Sequence, residues 1–452
     1  MSLTKVSYSM ITGAPVNVLD YGADPTNTND STAAMQAAHN TGKLVYYPAG
    51  SYKFTSITLT DGGIIGDGPN LTVLYQNSAT LNGIVYTPTG TLPIGPLFRD
   101  FQIQALVTKT SGALLTVNAL SSSNSVVGTI IDNVWFYQLY YDGLIMNDQV
   151  FYTVSNCHFV NYSNVGFAQA SATTDAGDST ITGCVFNTAR SSGQLIGYSQ
   201  TSGGGIRIIN NKFLGGNYNI NIFLNRNTAS ADLFIIGNSI EGAATAAILF
   251  SRNTGATGTL GPILIEGNNL GSVYSILCST QNAFSIMTIA NNSFYQTSNS
   301  SNGIFLQGVA GVNISGNTFD APGGTTGVRS IYLDSVCTKA QIKNNLYIRQ
   351  ANPYQTDTTN VIVNESAQYG SATATTSVGY GSLYAGVVSV VFPVPFYASP
   401  IVVATINNAN SIGGVSVIVE SITTTGFDAT VLGVTNAKAL PFNWSAFGVV
   451  SY

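Results

Sequence analysis

"IANNSF" occupies residues 289–294, and one step later "ISGNTF" occupies 314–319. The same phrase stands earlier as "IEGNNL" (265–270), "IIGNSI" (235–240) and "IINNKF" (208–213). Its third position falls at Asn133, Asn156, Gly183, Asn210, Gly237, Gly267, Asn291, Gly316 and Asn344, spaced 23 to 30 residues apart. Degenerate copies stand near Gly66 ("IIGDGP") and Asp100 ("FRDFQI"). Recurrence at a period of 20–50 residues is the mark of a stacked repeat.

Each copy has the same inner grammar. A short alternating strand ends at Ile or Val. An Asn/Gly corner follows, where left-handed backbone angles are tolerated. One more buried residue comes next, then a variable polar loop. Another strand then appears, as in "GLIMN" (143–147), "INIFLN" (220–225), "AILFS" (247–251), "GIFLQ" (303–307), "SIYLD" (330–334) and "VIVNE" (361–365). No helical period interrupts the region. Roughly 26 residues with three short strands make one coil of a parallel β-helix, whose like side chains stack about 4.8 Å apart on successive coils. A corner Asn can then pair its amide with the coils above and below. Leucine-rich and propeller arrays are the alternatives, and neither period fits.

Composition bounds the function. Only 8% of the 452 residues are charged, yet 44% are apolar, with 24 Tyr and 21 Phe, so a packed core is expected rather than disorder. The most apolar window, 385–406, contains Pro393, Pro395 and Pro400 and partly alternates, which suits strands better than a spanning helix. No membrane insertion is expected. The first fifteen residues lack the apolar block of a signal peptide. A net charge of −5 without a Lys/Arg cluster disfavours nucleic acid. Four scattered Cys, two His and no CxxC or HExxH pattern argue against a disulfide framework, a metal site or a cofactor.

The ends differ from the middle. Residues 17–54 contain "STAAMQAAHN", expected as a short helix with Asp30 near its start and Gly42 near its end, followed by "KLVYYPAGSYKF" as strands. The segment resembles the opening of pectate-lyase-like β-helix proteins, bacteriophage tailspikes especially. The resemblance is carried by Val18-Leu19-Asp20-Tyr21-Gly22-Ala23-Asp24, Asp30-Ser31-Thr32, Gln36 and Tyr47-Pro48-Ala49-Gly50. "SYSMITGAP" (7–15) is similar to the connector that in tailspikes follows a virion-binding domain. Near the other end, Phe392, Pro395, Phe396, Pro400, Gly426, Phe427, Trp444, Ala446 and Gly448 form a pattern resembling H-type lectin-like domains of phage tail proteins. Most of these are core positions, so the fold carries over more safely than sugar binding.

The expected organisation is therefore all-β. An attachment peptide (1–16) and a cap with the helix (17–60) precede a right-handed parallel β-helix (61–366). A small-residue linker (367–382) and an antiparallel β-sandwich (383–452) follow. The resemblance implies a homotrimer on a virion, attached to another phage tail or baseplate protein through the N-terminal peptide and made in the host cytoplasm. Its target would be a bacterial surface polysaccharide.

Glycan hydrolysis most often uses two carboxylates, about 5–5.5 Å apart for retention and 6.5–9.5 Å for inversion. Alternation points Asp334 outward, and Glu365 ends a strand expected one coil later, so this is the first candidate pair. Glu241 opens the loop after Ile240, and Asp320 takes the equivalent slot three coils on. Glu266 is expected on another side. Arg226 and Arg252 end consecutive strands and suit an acidic sugar. Tyr198, Phe223, Asn225, Gln307 and Tyr332 offer rings and amides to a glycan. Asp148, Asp175 and Asp178 form a possible turn or Ca²⁺ cluster without the EF-hand spacing. His39 and His158 are expected to be structural, and no GxSxG supports an esterase. Cys157 and Cys184 share one slot on successive coils and are expected as stacked thiols. The expected reaction is endo-hydrolysis of capsule or O-antigen. A polysaccharide lyase and a non-catalytic glycan-binding adhesin are the alternatives.

Overall fold

The computed structural model describes residues 14–447 except 90–93, 120–125, 139, 171–177, 189–193, 201–204, 225–231, 280–282, 296–301, 321–328, 349–351, 357–360, 365–367, 376–377, 381–382, 393–398, 407–415 and 434–438. Glu365, Asn225, Arg226, Asp175, Pro395, Phe396, Gly448 and the connector up to residue 13 lie outside the described residues.

The chain winds into a parallel β-solenoid with three strands per coil. One coil runs Ile206–Ile209, Lys212–Gly215 and Tyr218–Leu224, and the next Leu233–Ile236, Ser239–Glu241 and Ala246–Arg252. Each strand pairs in parallel with its counterpart one coil on, as in Ile208↔Ile235, Phe213↔Ile240 and Ile220↔Ile248. First and second strands merge around the corner into one 25-stranded sheet, while third strands form a 12-stranded sheet.

The corner is left-handed, as the repeat required. All nine phrase markers have positive φ, between 52° at Asn133 and 67° at Gly316, and Asp100 joins them at 61°. Gly66 does not, so the earlier copy there is not a corner of this kind. Only Gly and, at modest cost, Asn adopt this conformation routinely. The amide ladder is carried by the residue after the marker. Asn211, Asn238, Asn268, Asn292, Asn317 and Asn345 stack on consecutive coils, and each of the first five donates its backbone N–H to Oδ1 of the next at 2.9–3.0 Å. Cys184 and Cys157 hold the two preceding slots as free, buried thiols, and Cys184 N–H donates to Asn211 Oδ1.

The core follows from the same stacking. Ile196 pairs with Ile220, Ile220 with Ile248, then Ile276, Ile304 and Ile331 continue the column. Phe136, Phe159, Phe186 and Phe213 stack at 4.7, 4.5 and 5.0 Å. Each buried ring contributes about 1.5–3 kcal/mol of transfer free energy. Helix Thr32–His39 buries Met35 and Ala38. Its N-cap is Ser31, not Asp30, although Asp30 Oδ1 accepts the Thr32 N–H at 2.8 Å.

Two sequence expectations are corrected. Val361–Asn364 pairs with Ala340–Lys343, so it is a first strand rather than a member of the set containing "SIYLD". The supposed linker 367–382 is largely strand. Gln368–Thr375 pairs antiparallel with Ala439–Phe447, and Val378–Tyr380 with Leu383–Val391. The C-terminal region thus has three- and four-stranded antiparallel sheets. Phe392, Phe427 and Trp444 pack between them with ring centroids 5.6–5.7 Å apart. Small residues in 367–382 suggested a tether, but pairing partners distant in sequence decide strand formation.

Candidate functional site

The second strand is short, and the two positions flanking its buried aromatic or aliphatic residue point outward. The register stacks these positions into two parallel columns. One reads Trp135, His158, Val185, Lys212, Ser239, Asn269, Ser293 and Thr318. The other reads Tyr137, Val160, Asn187, Leu214, Glu241 and Gly271, then Tyr295 and Asp320.

Glu241 therefore ends a strand rather than opening a loop. It is exposed, and its Oε1 accepts a hydrogen bond from Ser239 Oγ at 3.3 Å. Beside it lies an open groove of about 650 Å³, lined by Leu214, Glu241, Asn269, Gly271, Ser272 and Tyr295 among others. Tyr295 is 47% exposed and also lines the groove. Gly271, itself buried, stands in register with Glu241 on the next coil. Its φ is not left-handed, and a Cβ there would meet only Tyr295 O at 3.7 Å and Glu241 Cγ at 3.9 Å, which are ordinary contacts. The backbone does not require this glycine, and its effect is to leave the space between acid and ring open. Carboxylate, phenol, amide and hydroxyl along the groove suit a polyhydroxylated ligand with an apolar ring face.

Asp320 is on the same column as Glu241, as expected, three rungs away. At the strand spacing that is about 14 Å, too far for the two to flank one glycosidic bond. Asp334 is 7% exposed, and its Oδ1 accepts the N–H groups of Gly308, Val336 and Cys337 at 2.9–3.1 Å. The bonds from Val336 and Cys337 close a turn, and the bond from Gly308 ties it to the preceding coil. Asp334 follows a third strand, and Glu365 lies outside the described residues.

Among the described residues, Tyr198, Phe223 and Tyr332 sit on the third-strand sheet. Phe223 is half-buried between Ser199 and Ser251 in register. Tyr332 stacks on Phe305 at 4.7 Å, with the Arg329 guanidinium 5.7 Å from its ring centre. Gln307 is half-buried at the end of Asn302–Leu306, and its backbone N–H donates to Cys278 O. Arg252 closes Ala246–Arg252, opposite Leu224. Tyr198 is in register with Gln169 and Ile222. Glu266 lies on the first strand and accepts Asn291 Nδ2 at 3.1 Å. Asp148 is buried, and Asp178 Oδ1 accepts the Gly205 N–H. The described candidates are thus split over three faces, and among them only Glu241 lines the groove.

Three groups on the groove's face escaped sequence reasoning. Gly271 and Tyr295 are the seventh letters of "IEGNNLG" and "IANNSFY", as Glu241 and Asp320 are of "IIGNSIE" and "ISGNTFD". Extending the phrase by one letter exposes the column. Trp135 is the fifth letter of its copy, and it stacks on His158 at 4.5 Å and 11°. Partial burial pushes the His158 pKa below the usual imidazole value. His39, fully enclosed, bonds Tyr47 Oη at 2.9 Å, and desolvation lowers its pKa to about 3.

Residues 15–91 match the family model described as rhamnogalacturonase A/epimerase, pectate lyase-like. No curated protein matches the sequence significantly. Among solved structures, tailspike protein 3 of bacteriophage CBA120 is 15% identical, with a TM-score of 0.50 over 80% of this chain and 64% of its own. The tailspike gp49 of Pseudomonas phage LKA1 is 12% identical, with a TM-score of 0.42 over 95% of this chain and 99% of its own. The catalytic unit of a GH87 α-1,3-glucanase from Streptomyces thermodiastaticus is 15% identical, with a TM-score of 0.43 over 78% and 65%. At 15% identity the likeness to tailspike protein 3 concerns the fold alone.

Proposed function

We propose that this chain is a tailspike-type receptor-binding protein of a bacteriophage that holds bacterial surface polysaccharide in the groove between Glu241 and Tyr295. The observation that carries this reading is Gly271. Between a carboxylate and a half-exposed ring, neither backbone nor packing demands a glycine, yet no side chain fills that position. The solenoid likeness to phage tailspikes supports the biological setting. A homotrimer on the virion, an N-terminal peptide docked on another tail or baseplate protein, synthesis in the host cytoplasm and a lectin-like C-terminal region belong to the same proposal.

Endo-hydrolysis is the second reading, favoured by the exposed carboxylate in an open groove. Glu241 would act as general acid on the leaving oxygen. Asp320 is too distant to be its partner within one chain, so the second carboxylate would come across a subunit boundary. Binding alone needs no such partner and is the simpler function of this geometry.

The test uses purified full-length protein against a panel of capsular and O-antigen polysaccharides. Binding is read on a glycan array, and cleavage by new reducing ends and size-exclusion profiles. Tyr295→Ala and Gly271→Val are expected to abolish binding while the protein remains folded. Glu241→Gln is expected to abolish any cleavage while binding persists. Unchanged binding in both Tyr295→Ala and Gly271→Val would refute the groove.

A further inference from the structure

The groove's two columns continue beyond it toward the N-terminal coils. Four rungs before Ser239, about 19 Å along the axis, stands the stacked pair Trp135 and His158. Both rings are half-buried on the outer face, outside the Phe136–Phe159 core stack that lies one residue further along each strand. Tyr137 is beside Trp135 on the second column, in register with Gln104, which is in turn in register with Tyr75. Gln102 Nε2 donates to Gln104 Oε1 at 2.9 Å, and Gln104 Nε2 to Gln138 Oε1 at 3.0 Å. The stacked rings cover one face of each other; bordered by side-chain amides, with no Asp, Glu, Lys or Arg in either column from Tyr75 to Asn187, their remaining apolar surface and the amides suit an uncharged ring.

We infer that Trp135, with His158 and the neighbouring glutamines, forms a second subsite that stacks a neutral sugar of the same polysaccharide chain that the Glu241–Tyr295 groove holds. The two subsites share one face and one axis. From Gln104 to Asp320 the track crosses eight rungs, about 38 Å. A polymer lying along the solenoid contacts both ends, whereas a fragment of one or two repeating units reaches only one. The protein therefore discriminates by chain length: affinity for long surface glycans exceeds affinity for released fragments. This inference rests on the groove being a glycan site. The competing account is that Trp135 and His158 are a cross-strand pair that only steadies the sheet.

Tryptophan fluorescence separates the two accounts, because the chain has only two Trp and Trp444 is enclosed in the C-terminal sheets. The probe is whichever capsular or O-polysaccharide the native protein binds on the array, used intact and as fragments of one or two repeating units. Saturating polymer is expected to shift Trp135 emission and shield it from iodide. Trp135→Leu is expected to weaken polymer binding about tenfold, the usual cost of truncating an aromatic anchor, and to leave fragment binding in the groove unchanged. Trp135→Tyr should restore most of the polymer affinity. Tyr295→Ala should weaken polymer and fragment alike. Native-like polymer binding by Trp135→Leu, or emission and iodide access unmoved by saturating polymer, would overturn the second subsite and leave the groove standing. No effect of Tyr295→Ala, or no array glycan bound by the native protein, would overturn the groove and the inference with it.

Discussion

Asn238 Oδ1 accepts two hydrogen bonds from Asn211, one from the backbone N–H at 2.9 Å and one from Nδ2 at 3.1 Å. That double acceptance repeats from coil to coil and satisfies amides that no water reaches. Buried polar groups in such a chain are costly to orphan, because each lost partner leaves a desolvated donor or acceptor.

Asn268→Ala should therefore destabilise the solenoid by about 3 kcal/mol. It orphans the Asn238 N–H, which points at Asn268 Oδ1, and removes one bond from Asn238 Nδ2 and one to the carbonyl of Ile235. Calorimetric unfolding of native and variant protein measures the loss. A change below the error of the scan would show that the ladder is not a source of stability.

Two glycines test the groove's architecture. Gly237 has φ of 66°, and a Cβ there would lie 2.4 Å from Asn210 Oδ1. Gly237→Ala should cost about 1–2 kcal/mol from the left-handed backbone alone. Gly271→Ala meets only ordinary contacts and should change stability by less than about 0.5 kcal/mol while reducing polysaccharide binding. Thermal melts and glycan binding, measured on both variants, should separate in opposite directions.

Asp334→Ala should lower the melting temperature and leave glycan binding per folded molecule intact. Its carboxylate holds two backbone N–H groups of its own turn and one of the preceding coil, and removing it should cost about 1–3 kcal/mol. Asp334→Asn keeps the accepting Oδ1 and should recover most of the loss. Abolished binding or cleavage in a folded Asp334→Asn protein would return this residue to the site.

Acid stability should depend on His39. Burial holds its folded pKa at about 3, below the ordinary 6.5 of the unfolded chain. Between those values the unfolded state carries a proton that the folded state refuses. Stability thus falls as pH drops through this window, by up to about 1.4 kcal/mol per pH unit. His39→Gln should flatten the profile of melting temperature against pH over the same range, and an unaltered slope would place the acid sensitivity elsewhere.

Much of the fold was legible in one phrase. The spacing of "ISGNTF" and its kin, the alternation around each Ile, and Asn or Gly at the third letter all specified a stacked coil with a left-handed corner. Those are local requirements, satisfied by any copy of the phrase against its neighbour. The strands 361–364 and 368–375 were misassigned because β-pairing is a property of the partner and not of the segment. Asp334 was misjudged for a related reason. Alternation places a residue on a face, but only the following turn shows what its side chain grips.

The sequence by itself determined the solenoid, its corner chemistry and the outward standing of Glu241 and Asp320, because period and alternation convert directly into rung and face. Tertiary structure alone decided which residues share a groove. It set Glu241 against Gly271 and Tyr295, aligned Trp135 with them along the axis, and moved Asp334 and the third-strand aromatics to other places. A repeat specifies the position within each coil, but a site is made across coils, where neighbours lie some two dozen residues apart in the chain and about 4.8 Å apart in space.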